Sequence, residues 1–410
     1  MAEPIRKSVG LSLGSTSISI AVVHQRPGEQ PEIVAFDRIS CRFLRDGMIV
    51  NLEALQDAVS ECRKNISFLV KASFYDVSIN LCGVPLKTIT SSLTHEMKKK
   101  TEVKKKHLST SFLSQPFLED DAWQLIHYRP ISYDLDSQTN LSSPIGMAGK
   151  TLSVQMQQLF APKTTVENIV HAINRCGFRI SHIVTDPLSS SEALVTKDEL
   201  EMGIWLLDIG GNVIQTAFLT GKEVHVLPPL QLGGDTVTND IAVGLKTTIK
   251  DAERIKIEYG YALPELVTNE MQIQIPPLGG GRADNPISQH RLSEIIKSRM
   301  EELLEMVAVT MNSFDPPANQ ISSGVVLTGG GSLLSGTLEL ASKHLRMPII
   351  KGHLRDVTGL TDIAPIPLSA SAIGLALYAL RHEADIDWDI SGTSTYKKFM
   401  QNVIRWLGGV

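Results

Sequence analysis

Residues 203–219 read Gly-Ile-Trp-Leu-Leu-Asp-Ile-Gly-Gly-Asn-Val-Ile-Gln-Thr-Ala-Phe-Leu, and this stretch decides the fold. An apolar run up to Asp208 predicts a buried strand, the glycines turn the chain, and residues 213–219 predict the return strand. The same design occurs earlier, where apolar runs flank Gly14-Ser15-Thr16, and Gly14 precedes Gly210 by 196 residues. A repeat of this size predicts the duplication of a whole lobe.

Further strands and helices surround these two hairpins. A strand-like run at 325–328 ends in Gly329-Gly330-Gly331-Ser332. Asn51 is a candidate cap for a helix with Leu52, Leu55, Val59, Cys62 and Ile66 on one stripe, and Thr164 with Glu167 predicts a capping box for a helix that Gly177 stops. Apolar spacings of three and four predict a long helix over about 289–313. Alternating strands and helices on a duplicated plan predict an α/β protein with two related lobes.

Composition excludes several classes of function. The chain has 410 residues and a formal net charge of -5, which argues against nucleic acid as a partner. Its four cysteines lie far apart, which indicates reduced thiols and excludes a zinc site or a disulfide framework. The first residues lack the apolar core of a signal peptide, and no apolar stretch reaches the ~20 residues that span a bilayer. We therefore expect the body of the protein in the cytoplasm.

The glycine turns predict a polyphosphate site. Glycine lets backbone N–H groups approach phosphate oxygens, and Ser or Thr hydroxyls add donors. Asp208 ends its strand where it could hold a hydrated Mg²⁺, an ion that prefers carboxylate and water ligands. Any one of these turns alone is more typical of an ordinary hairpin. The two turns and the third glycine cluster together, on a duplicated frame, favour a nucleotide clamp.

The order of these motifs resembles the actin, sugar-kinase and heat-shock chaperone superfamily. Within it, the chain resembles the FtsA family of bacterial actin-like cell division proteins over nearly its whole length. The matching stretches are 174–178, 207–211, 232–235, 238–242, 251–256, 259–260, 326–331 and 358–362. The resemblance implies an actin-like ATPase fold, with two lobes around a nucleotide cleft and the 1C subdomain of that family.

The resemblance also implies the roles of the site residues, with ATP and Mg²⁺ as cofactors. Asp186 lies near the position where related ATPases place a carboxylate that orders water, and Asp208 would be the second catalytic carboxylate and hold Mg²⁺ through water. The phosphates would lie among Gly14, Ser15, Thr16, Gly210, Gly211 and Asn212; ribose and adenine would lie among Gly233, Gly234, Glu253, Lys256, Gly329, Gly330, Gly331 and Ser332.

This chain departs from the superfamily pattern near the expected metal. Ser12 stands where the first strand usually carries an acidic residue, and Asn212, Val213 and Gln215 replace a glycine, a threonine and a second aspartate. Loss of two carboxylates weakens metal positioning more than it weakens phosphate binding by backbone N–H groups. We expect nucleotide binding with slow or absent hydrolysis.

The resemblance also gives domain bounds. Lobe 1 (1A) would comprise 1–83, 163–198 and 356–381, closed by a small-residue helix at 369–380, with subdomain 1C inserted at 84–162. Lobe 2 (2A) would comprise 199–227 and 289–355, with subdomain 2B at 228–288. Both insertions read as less regular stretches. A polar linker at 382–395 would lead to an amphipathic helix at 396–410.

That C-terminal helix predicts membrane attachment. Lys397, Lys398, Gln401 and Arg405 form its polar face, a pattern typical of a helix lying in a membrane interface. A frayed end docked on the body is the alternative. The lipid-facing residues would be Phe399, Met400, Val403, Ile404 and Leu407, with Trp406 near the headgroups. The protein would then lie on the cytoplasmic face of the membrane, at the division septum.

Partners follow from the resemblance. We expect binding of the acidic C-terminal peptide of the tubulin-like protein FtsZ through Arg282 and Arg299, self-association into filaments, and contact with later division proteins through 1C. The basic run from Lys98 to Lys106 is either a solvated face or a contact with an acidic surface or anionic lipid. A pilus-assembly actin-like protein and a small-molecule kinase are the alternative functions; the amphipathic tail argues against both.

Overall fold

The computed structural model describes residues 4–71, 74–104, 107–108, 118, 120–268, 270–276, 286–316, 322–360 and 365–382. The α-helices are α1 (Leu52–Val70), α2 (Lys163–Arg175), α3 (Asp186–Leu194), α4 (Lys197–Met202), α5 (Gly234–Leu245), α6 (Ile249–Tyr259), α7 (Gln289–Asn312), α8 (Thr337–Leu345) and α9 (Ile366–Arg381). The strands are β1 (Arg6–Leu13), β2 (Ser17–Gln25), β3 (Glu32–Ser40), β4 (Leu44–Arg45), β5 (Met48–Ile49), β6 (Asp76–Leu81), β7 (Lys87–Glu102), β8 (Trp123–Leu135), β9 (Gln138–Leu141), β10 (Ala148–Pro162), β11 (Arg179–Thr185), β12 (Ile204–Ile209), β13 (Ile214–Leu219), β14 (Val224–Val226), β15 (Gln272–Ile273), β16 (Ile287–Ser288), β17 (Val325–Thr328), β18 (Ile349–Lys351) and β19 (Thr358–Gly359).

Two sheets repeat one topology. The first has the order β11-β6-β1-β2-β3-β19, and the second has the order β14-β13-β12-β17-β18. In each, an antiparallel hairpin (β1–β2, β12–β13) lies beside a parallel neighbour (β6, β17). Leu13 pairs with Ile18 in the first hairpin, and Ile209 pairs with Ile214 in the second, at the same spacing. The duplication predicted from the glycine turns is confirmed.

A third sheet lies between β6 and α2 in the chain. Its order is β7-β10-β8-β9, with antiparallel pairing throughout. The sequence predicted an insertion over 84–162 with little regular structure. The lack of regular structure is wrong, because β7, β8 and β10 are long strands. Strand β7 carries many exposed polar side chains, among them Lys98, Lys99 and Lys100, so its sequence lacks the apolar run that marks a buried strand.

The helices follow the predicted stripes, with two differences. Asn51 caps α1, and its side chain accepts a hydrogen bond from the Ala54 N–H at 3.0 Å, but Leu52 is exposed. The capping box at Thr164 is wrong: α2 begins at Lys163 after Pro162 and has no side-chain cap, so Thr164 lies inside the first turn. The predicted helices at 289–313 and 369–380 are confirmed as α7 and α9.

Three apolar clusters hold these layers together. One joins α1, α2 and one face of the first sheet to the β7–β10 sheet, and a second packs α5, α6 and α7 against the second sheet. The third lies between the lobes, where α9 packs on α3 and β1. Gly10 permits this last contact, because a Cβ there would lie 2.0 Å from the Ala372 carbonyl oxygen. Helix α9 thus packs in an apolar cluster that contains buried side chains of both lobes.

Candidate functional site

Both glycine turns close with the same hydrogen bond. The Gly14 N–H donates to the Ser17 carbonyl at 3.0 Å, and the Gly210 N–H donates to the Val213 carbonyl at 2.9 Å. Each turn therefore joins the two strands of its hairpin at the same register. The two lobes present equivalent turns at the carboxyl ends of β1 and β12.

The two turns meet across the lobes. The Asn212 N–H donates to Ser15 Oγ at 3.1 Å, and a Cβ on Gly211 would lie 2.2 Å from Thr16 Cγ2. A side chain at position 211 would therefore displace Thr16. Among the described residues, nothing accepts a hydrogen bond from the Thr16 or Gly211 N–H. Two backbone donors, one from each lobe, are left for a ligand.

Helix α5 packs its first turn against the second glycine turn. The N–H groups of Gly234 and Asp235 donate to the Gly210 and Gly211 carbonyls at 2.9 and 2.8 Å. A Cβ on Gly233 would lie 2.5 Å from the Gly210 carbonyl oxygen. These glycines therefore support the turn itself.

A polar cluster on α5 and α6 lies beside that turn. Lys256 Nζ lies 3.0 Å from the Gly234 carbonyl oxygen, 2.8 Å from Thr238 Oγ1 and 2.7 Å from Glu253 Oε2. Thr238 Oγ1 also donates to Glu253. Lys256 is mostly buried, and this pairing satisfies its charge. The predicted residues 253 and 256 are therefore brought to the second turn.

The third glycine cluster lies against the end of β12. Gly329 has φ +81°, and a Cβ there would lie 2.2 Å from Asp208 Oδ1. A Cβ on Gly331 would lie 2.3 Å from Ile209 Cγ2, whereas one on Gly330 would meet only Leu368 within 4 Å. Ser332 Oγ donates to the Gly329 carbonyl at 2.7 Å. The cluster thus adjoins Asp208 and the second turn.

Asp208 presents a carboxylate that receives no hydrogen bond from the described residues. Burial and, secondarily, repulsion from Asp186 raise its pKa well above the usual value for aspartate. Such a carboxylate gains from any cation or water that solvates it. Its chemistry fits the outer shell of a hydrated Mg²⁺.

Asp186 has the opposite arrangement, because other side chains already occupy its carboxylate. Oδ1 accepts from Asn80 Nδ2 at 2.9 Å and Ser371 Oγ at 2.7 Å, and Oδ2 accepts from Gln215 Nε2 at 2.9 Å. Burial raises the pKa of Asp186, and these hydrogen bonds oppose that rise. The network ties β6, α3, β13 and α9 together.

Gln215 links the lobes. The sequence identified it only as the residue that replaces the second aspartate of the superfamily pattern. Besides donating to Asp186, its Oε1 accepts from the Gly83 N–H at 3.2 Å. Gln231 Nε2 donates to the Gly83 carbonyl at 2.9 Å, so two glutamines of lobe 2 bind the backbone of one residue of lobe 1. Burial, with Asp186 and Asp208 nearby, also raises the pKa of the Cys82 thiol. A second aspartate at 215 would repel Asp186.

Sequence reasoning missed Asn80, Cys82 and Ser371. A signal existed only for Asn80: it lies in the alternating run Val77-Ser78-Ile79-Asn80-Leu81, and a parallel neighbour places it at the edge where the glycine turn lies. Its Oδ1 accepts from the Leu13 N–H at 2.6 Å. Arg42 of lobe 1 also forms a bidentate ion pair with Asp235 of lobe 2.

The predicted partner residues have different outcomes. Arg299 Nε and Nη2 donate to Asp240 at 2.5 and 3.2 Å, and its Nη1 donates to Glu302 at 2.5 Å. The hydrogen bond with Asp240 raises the pKa of Arg299. Arg282 and the tail residues Phe399, Met400, Val403, Ile404, Trp406 and Leu407 lie outside the described residues. Within the described ranges, no group of three or more His, Cys, Asp or Glu side chains forms a metal site, and no helix is long and apolar enough to cross a membrane.

Known proteins match this chain in sequence and in fold. The family model "Cell division protein FtsA" matches residues 205–374. The FtsA proteins of Pseudomonas aeruginosa and Escherichia coli K12 are 28% and 25% identical to it, over 98% and 97% of this chain and 97% of each relative. The chain is similar to FtsA proteins over nearly its whole length.

Solved structures confirm an actin-like fold. The PilM–PilN type IV pilus biogenesis complex matches with a TM-score of 0.60 and 18% identity, covering 91% of this chain and 98% of that one. MreB5 of Spiroplasma citri bound to ADP matches with a TM-score of 0.55 and 13% identity, covering 92% and 97%. The chain therefore has a mixed α/β actin-like fold, and the predicted resemblance to FtsA cell division proteins is confirmed.

Proposed function

We propose that the protein binds ATP between its two glycine turns, assembles into filaments and tethers FtsZ to the cytoplasmic face of the membrane at the division site. The observation that carries nucleotide binding is the meeting of the two turns, with unpartnered N–H groups on Thr16 and Gly211 beside the free carboxylate of Asp208. The structurally similar MreB5 of Spiroplasma citri is bound to ADP, which supports nucleotide binding here.

The residues fit a magnesium nucleotide. Thr16 and Gly211 would donate to phosphate oxygens, and Asp208 would accept from the water shell of Mg²⁺. Bound ATP supplies the phosphoanhydride bond and its binding energy. Asp186 would hold the site in shape, since three side chains occupy its oxygens and leave it poorly suited to activate a water. This supports the expectation of slow or absent hydrolysis.

The attachment and recruitment steps rest on the FtsA relationship and on the tail sequence. The residues proposed for lipid contact are those of the apolar face at 396–410, and one such short helix binds weakly and reversibly. Filaments would present many tails together, and avidity would make attachment firm. FtsZ would bind through its acidic C-terminal peptide at subdomain 2B and α7, and later division proteins would bind at 1C.

A pair of glycine substitutions tests the nucleotide site. Gly211→Ala places a methyl group against Thr16, whereas Gly221→Ala adds one where nothing lies within 4 Å. We expect ATP with Mg²⁺ to raise the unfolding temperature of the parent and of Gly221→Ala equally. Gly211→Ala should need at least a tenfold higher ATP concentration for the same rise in unfolding temperature. Equal ATP responses of the two variants would place the nucleotide elsewhere.

A further inference from the structure

One end of lobe 1 carries uncovered apolar side chains. Strands β1, β6 and β11 are parallel, with Gly10 opposite Ser78 and Asp76 opposite Arg179, so their first residues lie side by side. We call this end the N-edge surface; it comprises Arg6, Lys7, Tyr75, Asp76, Arg179 and the last two turns of α1. The glycine turns lie at the opposite ends of β1 and β12.

The aromatic content of the N-edge surface is unusual for a face that meets only water. Phe68, Leu69 and Tyr75 are 82%, 57% and 61% exposed. The Arg63 guanidinium lies over the Tyr75 ring, 5.7 Å from its centroid, and over the Phe178 ring at 5.1 Å. Arg63 is also fixed to the Cys176 carbonyl at 2.8 Å. An exposed apolar group beside cations is the composition of a lipid-interface contact.

Charge on the N-edge surface and its immediate surroundings favours an anionic partner. Arg179 is paired with Asp76, and Arg6 donates to the Leu380 carbonyl. At the neighbouring β2–β3 connection, Arg26 pairs with the acids Glu29 and Glu32, and Glu61 is an exposed acid on α1. The other exposed cations are Lys7, Lys64, Lys71 and Arg175.

The chain leaves lobe 1 at the same end. Helix α9 ends at Arg381, and the contact of Arg6 with Leu380 places that end at the start of β1. Helices α9 and α1 pack on opposite faces of the sheet, so their ends are separated by about 20 Å. Residues 383–395 can span up to about 45 Å when extended. A tail helix at 396–410 can therefore lie in the same plane as the end of α1.

We propose that the N-edge surface faces the membrane and that Phe68 and Leu69 enter an anionic lipid leaflet as a second contact beside the tail. This inference rests on the membrane attachment in the proposed function. The two side chains would reach the boundary between headgroups and acyl chains, with Lys64 and Lys71 at the level of the phosphates. The body would then be held with its nucleotide cleft directed away from the bilayer, a fixed orientation that the linker and tail cannot impose alone.

Vesicle co-sedimentation of the full chain tests this contact. The vesicles contain phosphatidylglycerol and phosphatidylcholine, and the protein is kept below its assembly concentration. Phe68→Ser/Leu69→Ser is compared with Val243→Ser/Ile257→Ser, which removes two side chains that are 70% and 71% exposed on lobe 2. We expect a roughly tenfold lower partition coefficient for the first pair and no change for the second. Unchanged unfolding temperatures and ATP responses would show that both variants are folded.

The outcomes separate this inference from the proposed function. Ile404→Glu tests the tail alone: if it binds vesicles like the parent, the proposed tail anchor fails. If it loses binding while Phe68→Ser/Leu69→Ser keeps parental binding, the tail anchor stands and the second contact is wrong. Sedimentation velocity without lipid gives the remaining outcome, since weaker self-association of the Phe68→Ser/Leu69→Ser protein would identify a contact between copies and overturn the lipid contact.

Discussion

At the scale of single residues, the site depends on how two aspartates are solvated. Asp186 accepts three side-chain hydrogen bonds, whereas Asp208 accepts none from the described residues. Both lie at the junction of the lobes, and burial raises the pKa of each. Asp186 is therefore suited to hold the lobes in register, and Asp208 to meet a cation.

Asp208→Asn should stabilise the protein in the absence of nucleotide at neutral pH. A carboxyl whose pKa is raised by folding binds its proton more tightly in the folded state. The carboxyl therefore lowers the free energy of unfolding increasingly as the pH rises from about 3.9 through the folded pKa. The variant should unfold at a higher temperature than the parent at pH 7.5, by roughly 2–4 °C per kcal/mol regained, and the difference should shrink toward pH 4.

Asp136→Asn is the matched control. Hydrogen bonds from the Thr151 and Lys150 N–H groups lower the pKa of Asp136, so its charge favours folding and its removal should not raise the unfolding temperature. Thermal unfolding from pH 4 to pH 8 measures both variants. A lower unfolding temperature for Asp208→Asn at pH 7.5 would show that its charge is already solvated by the protein.

Gln215→Glu should be strongly destabilising, because it replaces the donor to Asp186 with a second carboxylate. Breaking a buried polar pair in this way costs about 3 kcal/mol. Asp186→Asn in the same chain restores one donor and one acceptor, so the double variant should recover much of the loss. Urea unfolding at pH 7.5 measures the unfolding free energies of the parent, the two single variants and the double variant, which together form a double-mutant cycle. If the double variant loses as much unfolding free energy as the two single variants added together, Gln215 and Asp186 do not interact and the network is wrong.

At the scale of elements, α5 and α7 form the surface proposed for the FtsZ peptide. Arg299 on α7 already bridges Asp240 on α5 and Glu302, so an acidic peptide would compete with, or add to, these pairs. An acidic side chain at position 299 would lie beside Asp240 and Glu302 and bring three carboxylates together. The peptide surface is therefore coupled to the packing of the two helices.

Arg299→Glu should weaken binding of the FtsZ C-terminal peptide at least tenfold, because a guanidinium that pairs with carboxylates is replaced by one that repels them. Arg291→Glu is the control: it lies on the same helix, pairs with Glu294 and is mostly exposed, and it changes the net charge equally. Fluorescence anisotropy of the labelled peptide measures both. Equal affinities for the two variants would mean that the peptide binds away from Arg299.

Sequence predicted the elements wherever the signal was local. Gly14 and Gly210 close identical turns because turn chemistry is set within four residues. The cap at Thr164 was wrong because the helix begins at Lys163, after Pro162, two residues earlier than a capping box at Thr164 requires. The β7–β10 sheet was missed because β7 carries mainly polar side chains. Its sequence lacks the apolar run by which we recognised the other strands.

The Asp186 network lay beyond sequence reasoning for a different reason. Asn80, Gln215 and Ser371 come from three elements far apart in the chain. Gln215 stands in a recognised motif only as a missing aspartate, and nothing in the sequence pairs it with the other two. Only the packing of α9 and the meeting of the two hairpins bring them together. The glycine positions of the site were predictable, and the polar residues that join its lobes were not.

At the scale of the whole molecule, the duplicated sheets, the inserted β7–β10 sheet and the shared α9 layer make one actin-like body. The N-edge surface and the chain exit lie at one end of lobe 1, and the glycine turns lie at the other. Such a body can bind nucleotide on one side while it is held to a membrane on the other. Assembly would then set the strength of attachment through the number of tails.

Recruitment of FtsZ to vesicles is the measurement that tests the tether most directly. FtsZ is sedimented with anionic vesicles and ATP, together with the full chain or with the chain lacking 391–410. We expect FtsZ to pellet with vesicles only in the presence of the full chain. The shortened chain should keep its unfolding temperature, its ATP response and its affinity for the FtsZ peptide. FtsZ that pellets equally with the shortened chain would contradict the proposed tether.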